Sequence, residues 1–263
     1  MSWCSVVGNA ARASRQGETN EGRIMRALVL AAGKATRLGA AAAGIPKPMI
    51  ELCGEPIIAS SLAMLRRAGV RDVVINLHHN PEAVVAGLGD GSAFGVRLSW
   101  SRERSLRGTG GALDAARPLL GGGQFLVLYG DNRFRGDLLP LLRHHQASGA
   151  ITTIASLWRG DVRESGELVV NDSGHVLAVR EKPPGPPRPG WVNAGIVVAE
   201  AQLFEYVTDV AVSDLVGDVL RAAVEAGEYV RAEPFAGEVY WIDTPADLAR
   251  ERLRLAAPGR QTS

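Results

Sequence analysis

The sequence predicts an α/β protein built on a Rossmann-like, doubly wound sheet of mixed but mainly parallel strands, completed by a smaller α+β lobe. Three observations support that class. Up to about residue 160, short apolar runs alternate with stretches of helical periodicity, as strands and crossover helices do. Several of those runs, 27–31 and 125–129 among them, are apolar throughout rather than at every second residue, the pattern of strands buried on both faces. Beyond residue 160, hairpin and loop signals replace the alternation. With 263 residues, 46% of them hydrophobic, the chain can fill one large core and a lobe. We divide it into a disordered leader at 1–24, one domain at 25–257 whose two parts meet near residue 160, and a flexible tail at 258–263.

The first apolar run, residues 27–31, reads as a buried parallel strand that breaks at Gly33. Residues 56–68 read as a helix with Pro56 in its first turn, Ile57, Leu62 and Leu65 on an apolar face, and Gly69 at its end. A strand at 73–77 precedes a helix at 80–88, which Asn80-Pro81 opens and Gly89-Asp90-Gly91 closes. A further strand spans 96–100. Gly108-Thr109-Gly110-Gly111 opens a helix to about 116, and the strand at 125–129 ends in Gly130-Asp131-Asn132. A helix at 137–147 and a β-rich run at 151–158 complete the first part.

In the lobe, strands at 167–170 and 175–180 flank the turn Asn171-Asp172-Ser173-Gly174. A loop rich in proline and glycine at 183–189 leads to a strand at 191–199. Helical patterns follow at 201–207 and 213–226, then short strands at 229–234 and 239–242, and a final helix from 245 to about 255.

Charge and composition exclude several classes. The 29 Lys+Arg against 28 Asp+Glu leave no basic field of the kind that holds nucleic acid. No apolar run approaches the roughly 20 residues needed to cross a bilayer. We therefore expect no nucleic-acid and no membrane partner. Residues 1–24 lack the apolar stretch of a signal peptide, and Glu18 and Glu21 speak against a transit peptide. Cys4 and Cys53 form no ligand spacing and fit the reduced thiols of a cytoplasmic protein. His78-His79 and His144-His145 lack an i,i+4 partner suited to zinc, and we read them as solvated.

The segment from Ala27 to Leu52, A-L-V-L-A-A-G-K-A-T-R-L-G-A-A-A-A-G-I-P-K-P-M-I-E-L, carries most of the functional information. Its loop offers backbone N–H groups beside Arg37 and Lys47, with Pro46 and Pro48 stiffening the chain around the lysine. Such a loop suits a polyphosphate. It is not a dinucleotide fingerprint, because Ala35 and Leu38 stand where glycines are required. Nor is it a Walker A loop, because Ile45 and Pro46 follow Gly44. Further on, Asp131 and Asp243 each stand at the end of an apolar strand. Carboxylates so placed face the crevice beyond the strand ends, where two of them can hold one Mg²⁺ together with phosphate oxygens and water.

The segment resembles the signature loop of the sugar-1-phosphate nucleotidylyltransferases, L-A-x-G-x-G-T-R-L followed by P-K-P, with Ala35 in place of the usual glycine. Four further matches keep the family order: G-D at 130–131, G-T-G-G-A at 108–112, E-K-P at 181–183 and N-A-G at 193–195. A later W-x-D matches at Trp241-Ile242-Asp243, although two residues of the family's D-x-G-T-P are missing before Thr244-Pro245. The resemblance implies the fold of nucleotide-diphospho-sugar transferases, with a nucleotide-binding part at about 25–160 and a sugar-binding lobe at about 161–257.

It further implies roles for individual residues. Arg37, Lys47 and Asp131 are the catalytic candidates, and Asp131 with Asp243 would hold Mg²⁺. Leu30, Ala31, Ala32, Gly33, Gly110 and Gly111 would contact the nucleotide, the glycine loop offering free amides to it. Asn132, Glu181, Lys182 and Asn193 would contact the sugar phosphate. The implied partners are an NTP and a sugar 1-phosphate, and the expected assembly is a monomer or homodimer. The base stays open between a GTP reading with a mannose- or heptose-type sugar, towards which the 108–112 loop inclines, and a uridylyl reading on an amino- or muramic-type sugar, which the L-A-A-G form favours. Two other classes also remain: a cytidylyltransferase for a non-sugar phosphate, and a silent homologue that binds nucleotide sugars to regulate a partner.

Overall fold

The strand R-A-L-V-L at Arg26–Leu30, β1, lies in the middle of the sheet and divides its side chains between two cores. Ala27 and Val29 face one and Leu28 and Leu30 the other, so a strand without polar residues after Arg26 is what this position requires. The computed structural model describes residues 25–256, apart from 34, 42, 43 and 209. The expectations for the leader, the tail and Cys4 lie outside these residues.

After β1 come the short pair β2 (Glu51–Leu52) and β3 (Glu55–Pro56), then α1 (Ala59–Arg67), β4 (Asp72–Leu77), α2 (Pro81–Leu88) and β5 (Arg97–Arg102). Next are α3 (Gly108–Leu120), β6 (Phe125–Tyr129), β7 (Asn132–Gly136), α4 (Leu139–Ser148) and β8 (Thr152–Arg159). The remainder comprises β9 (Gly166–Val170), β10 (Val176–Glu181), β11 (Gly190–Ala199), α5 (Arg221–Glu225), β12 (Val230–Pro234), β13 (Gly237–Trp241) and α6 (Pro245–Ala256).

Among the described residues, nine strands form one sheet. β5, β4, β1 and β6 pair in parallel, as do β8 and β12. β11 runs antiparallel between β6 and β8, and its first residues also pair with β9, beyond which lies β10. The sheet is therefore mixed and mainly parallel, as the sequence predicts. Side chains of α1, α2 and α4 fill one face, and those of α3 and the segment from 203 to 223 fill the other. Full burial of each such Leu, Val or Ile favours the fold by about 1.5–3 kcal/mol.

Several expectations need correction. Pro56 belongs to β3, not to a helix: Glu51–Leu52 and Glu55–Pro56 form a tight hairpin turned by Cys53 and Gly54, both at positive φ, and α1 starts only at Ala59. A proline fits a helix start and a short edge strand equally, so local sequence does not choose between them. The helix predicted at 213–226 begins as a wide turn at Leu215–Leu220, capped by the Asp214 side chain, before α5. The pattern at 201–207 is a tighter turn, Ala201–Tyr206. His145 is buried at 2% exposure, where its ring bonds Thr153 at 2.8 Å and Glu200 at 3.3 Å, while His144 is exposed. The solvated reading thus fails for His145, which faces the sheet from the inner side of α4. No helix among the described residues is long and apolar enough to cross a membrane.

Candidate active site

β1, β4 and β6 end side by side, with Leu30 level with Asn76 on one flank and Tyr129 on the other. The Leu30 carbonyl accepts from the Gly130 N–H at 2.9 Å. Ala31 and Ala32 are buried, and the Ala31 N–H donates to the Asn76 side chain at 2.6 Å. Gly33 borders open space: a methyl group built on it meets no atom within 4 Å. Ala35 holds φ 52°, in the left-handed region. An L-residue there is strained by roughly 1–2 kcal/mol, which is the physical reason for the glycine that similar loops carry at this point.

The loop then delivers two cations to the same place. Lys47 opens a short turn, Lys47–Met49, behind Pro46, and only 6% of its side chain is exposed. Its Nζ donates to Asp131 Oδ2 at 2.9 Å and to Asp243 Oδ1 at 2.8 Å. Arg37 reaches that same Asp243 oxygen at 3.0 Å from a side chain that is 69% exposed. Burial acts against the lysine's charge, but the two aspartates outweigh it and raise the Lys47 pKa, so the ammonium persists across the neutral range.

The aspartates meet because β7 and β13 form a two-stranded ribbon. Asn132 stands opposite Trp241, so Asp131 and Asp243 emerge at the same end. Without its two missing residues, the W-I-D-T-P segment is anchored by a reciprocal cap. The Thr244 N–H donates to Asp247 Oδ2 at 2.9 Å, and the Asp247 N–H donates to the Thr244 hydroxyl at 3.2 Å. The Asp243 N–H donates to the same Asp247 oxygen at 3.2 Å. The shortened motif still brings its carboxylate to the cleft.

Two carboxylates that approach one nitrogen to within 3 Å are close enough to share one small cation. Among the described residues no cluster of three or more His, Cys, Asp or Glu is gathered, so the protein supplies only part of a coordination shell. That donor set fits a hard divalent ion whose remaining ligands are phosphate oxygens and water.

The second glycine loop differs from its expectation. The Gly110 and Gly111 N–H groups both donate to the Ser213 carbonyl, at 2.8 and 3.3 Å, so these amides at the head of α3 are not free. Gly108 has φ 75°, and a methyl there would collide with that same carbonyl. At Gly110 the added methyl would stand 2.6 Å from the Ser213 hydroxyl. Thr109 donates to Asp214 at 2.7 Å and accepts from the Leu215 N–H at 2.7 Å. The glycines thus admit the chain's own segment 212–215 across the start of the helix.

Just after β10, Lys182 has φ 43° and lines a cavity of about 330 Å³ with Arg37 and Asp243. Glu181 is largely exposed, yet its Oε2 lies 3.1 Å from the position of a Gly166 methyl group. Loss of water and the nearby Asp214 raise its pKa, against the opposing pull of Lys182. Asn132 is buried against Gly195, and Asn193 accepts from the Gly195 N–H at 2.9 Å, so both border the bulge of β11 between Asn193 and Val197.

The structure therefore joins Arg37, Lys47, Asp131 and Asp243 in one contact network. Lys182 shares their cavity, and Gly110 and Gly111 are occupied by the chain itself. Sequence reasoning missed Asn76 and Asp214. Asn76 is buried, and its amide donates to Glu103 at 2.7 Å while its oxygen holds Ala31. A single polar residue inside V-V-I-N-L was the available signal. Asp214 caps the turn at Leu215–Leu220 and accepts from Thr109, a long-range contact that no local pattern signals.

Residues 26–247 match the nucleotidyl transferase family, and the chain belongs to it. It is similar to the mannose-1-phosphate guanylyltransferase of Mycobacterium tuberculosis, at 30% identity over 85% of this chain and 62% of that protein. It is equally similar to the UTP–glucose-1-phosphate uridylyltransferase of Synechocystis, at 30% identity over 89% of this chain and 66% of that protein. The chain thus spans somewhat less than two thirds of the length of these relatives. Among solved structures, HddC from Yersinia pseudotuberculosis complexed with GMP-PN has the same fold, with a TM-score of 0.73 and 21% identity, covering 88% of this chain and 99% of that one.

Proposed function

We propose that this nucleotidyl transferase family member joins a sugar 1-phosphate to an NTP, forming an NDP-sugar and releasing pyrophosphate. One observation carries the reading: a buried lysine bridges two strand-end aspartates in a cleft that also holds Arg37 and Lys182. A sugar phosphate is largely dianionic near pH 7, because its second pKa is about 6. Its oxygen attacks the α-phosphorus directly, the new O–P bond forms, and the α–β bridging bond breaks with its electron pair leaving on pyrophosphate. No general base is required. What the residues supply is alignment and neutralisation of charge.

Lys47 sits on the α-phosphate side and Arg37 on the departing pyrophosphate. Lys182 holds the incoming phosphate in line, and Glu181 and Asn193 bind sugar hydroxyls. Asp131 and Asp243 would hold a divalent ion, Mg²⁺ in our reading, which neutralises phosphate charge when bound. Residues from about 161 to 257 act as the sugar-binding lobe of a single domain. Similarity to the mycobacterial guanylyltransferase supports GTP as donor, while the equal identity to a uridylyltransferase keeps UTP as the second reading.

The test is pyrophosphate release measured over four NTPs and a panel of sugar 1-phosphates with Mg²⁺, in the wild type and in Asp131→Asn. The wild type should turn over with GTP, and the variant should lose about 10²–10³ in rate while its melting temperature stays nearly unchanged. A variant that keeps more than about a tenth of the rate would refute the placement of Asp131.

A further inference from the structure

Arg159, at the last position of β8, lies among the cleft residues and no motif of the sequence points to it. Its guanidinium stacks over the Trp241 ring at 4.6 Å from the centroid, and it lines the 330 Å³ cavity shared with Arg37, Lys182 and Asp243. The side chains nearest it in role are already matched: Asp243 by Arg37 and Lys47, Asp247 by Arg250, Glu251 by Arg133 and Arg254. Arg159 itself forms no ion pair with any carboxylate of the described residues. Its one hydrogen bond there is a long one, 3.5 Å to the Ser165 hydroxyl.

The nearest electrostatic partner is Asp161, which Arg163 engages on both oxygens at 2.7–3.0 Å and which Arg159 influences without touching. A half-buried guanidinium with no carboxylate in contact is ready for an anion, because arginine in a cavity is normally matched by one. Stacking on an aromatic ring holds the planar group in place while leaving its N–H edge free. The tryptophan belongs to the Trp241-Ile242-Asp243 segment, so one stretch of backbone sets both the aspartate and the platform for the arginine. Glu164 also lines this cavity but does not pair with Arg159.

We infer that Arg159 is an anion-binding residue of the acceptor end of the cleft, gripping a phosphate or carboxylate of the incoming sugar phosphate beside Lys182. This rests on the activity proposed above. Two sources supply such an anion: the reacting 1-phosphate itself, or a second acidic group elsewhere on the sugar. The planar guanidinium can engage either through two parallel hydrogen bonds.

Steady-state kinetics of Arg159→Gln and Arg159→Lys test the inference, with mannose 1-phosphate as a neutral-sugar acceptor and N-acetylmuramate 1-phosphate as a carboxylate-bearing one. Arg159→Gln should raise the acceptor KM by about tenfold or more and leave the NTP KM within about twofold, with Arg159→Lys in between. An equal rise for both acceptors identifies the reacting phosphate as the anion, and a rise for the carboxylate-bearing acceptor alone identifies a second group. An acceptor KM within about twofold of wild type for both overturns the assignment. If the wild type transfers no nucleotide to any acceptor, the proposed activity fails, and Arg159 is then judged by thermal stabilisation with inorganic phosphate. Loss of that stabilisation in Arg159→Gln upholds the site. An equal gain in both proteins, or no gain in the wild type, overturns it.

Discussion

Two glycine loops, one after β1 and one at the head of α3, use glycine in opposite ways. Around Gly33 the backbone borders open space, so the missing side chain leaves room for something from outside. Around Gly108, Gly110 and Gly111 the room is already taken by Ser213 and Arg107. A glycine in a sequence signals close approach but does not say by what. That distinction decides whether a substitution harms binding or folding.

The largest expected effect breaks the second loop. Gly108→Ala would place a methyl against the Ser213 carbonyl at a left-handed φ, and should cost about 3 kcal/mol, lowering the melting temperature by roughly 6–12 °C. Gly33→Ala should leave stability within about 0.5 kcal/mol and raise the NTP KM instead. If calorimetry found both variants equally destabilised, or kinetics found the Gly33 variant with an unchanged NTP KM, the contrast between the loops would be lost.

A smaller effect sharpens the first loop. Ala35→Gly relieves the strained φ of 52° but frees the unfolded chain, and the two together should leave a gain of about 0.5 kcal/mol. Thermal melts of the two proteins check the sign. A loss of stability would mean that Ala35 contributes packing which outweighs its strain.

The smallest effect concerns Glu181, at the end of β10, which lies near Asp214 and so near the Gly108 region. Its folded pKa lies above the unfolded value, so the folded state favours the protonated carboxyl. The stability associated with that preference is full below the unfolded pKa of about 4.3 and is lost as pH rises through the raised folded value. Glu181→Gln removes the penalty, so its melting temperature should exceed that of wild type at pH 7–8 and the difference should shrink at lower pH. A difference independent of pH between about 4 and 8 would count against the shift.

How far the sequence could lead is visible in particular residues. The strand ends carrying Asp131 and Asp243 were legible because apolar runs stop there, and the Arg37–Lys47 spacing was legible as a motif. β7 was not read as a strand, although Asn132–Gly136 alternates around the buried Phe134, because its partner β13 lies about a hundred residues on. Ser213 at the glycine loop and Arg159 on Trp241 are likewise long-range meetings that no local pattern encodes. The hairpin of β9 and β10 was legible for the opposite reason. Asn171 closes it on its own neighbours, accepting from Ser173 and His175.

The ribbon of β7 and β13 has a consequence for how the protein comes to exist. A ribosome adds about 5–20 residues per second, so Lys47 and Asp131 emerge well before Trp241 and Asp243 do. Throughout that interval the nascent chain holds a lysine with half of its counter-charge and a β7 edge without a partner, a state open to mispairing. No product of interrupted synthesis that stops short of β13 can assemble the two-aspartate pair. Appearance of Lys47 between both aspartates therefore reports, at a single place in the molecule, that early, middle and late segments of the chain have been made and brought together.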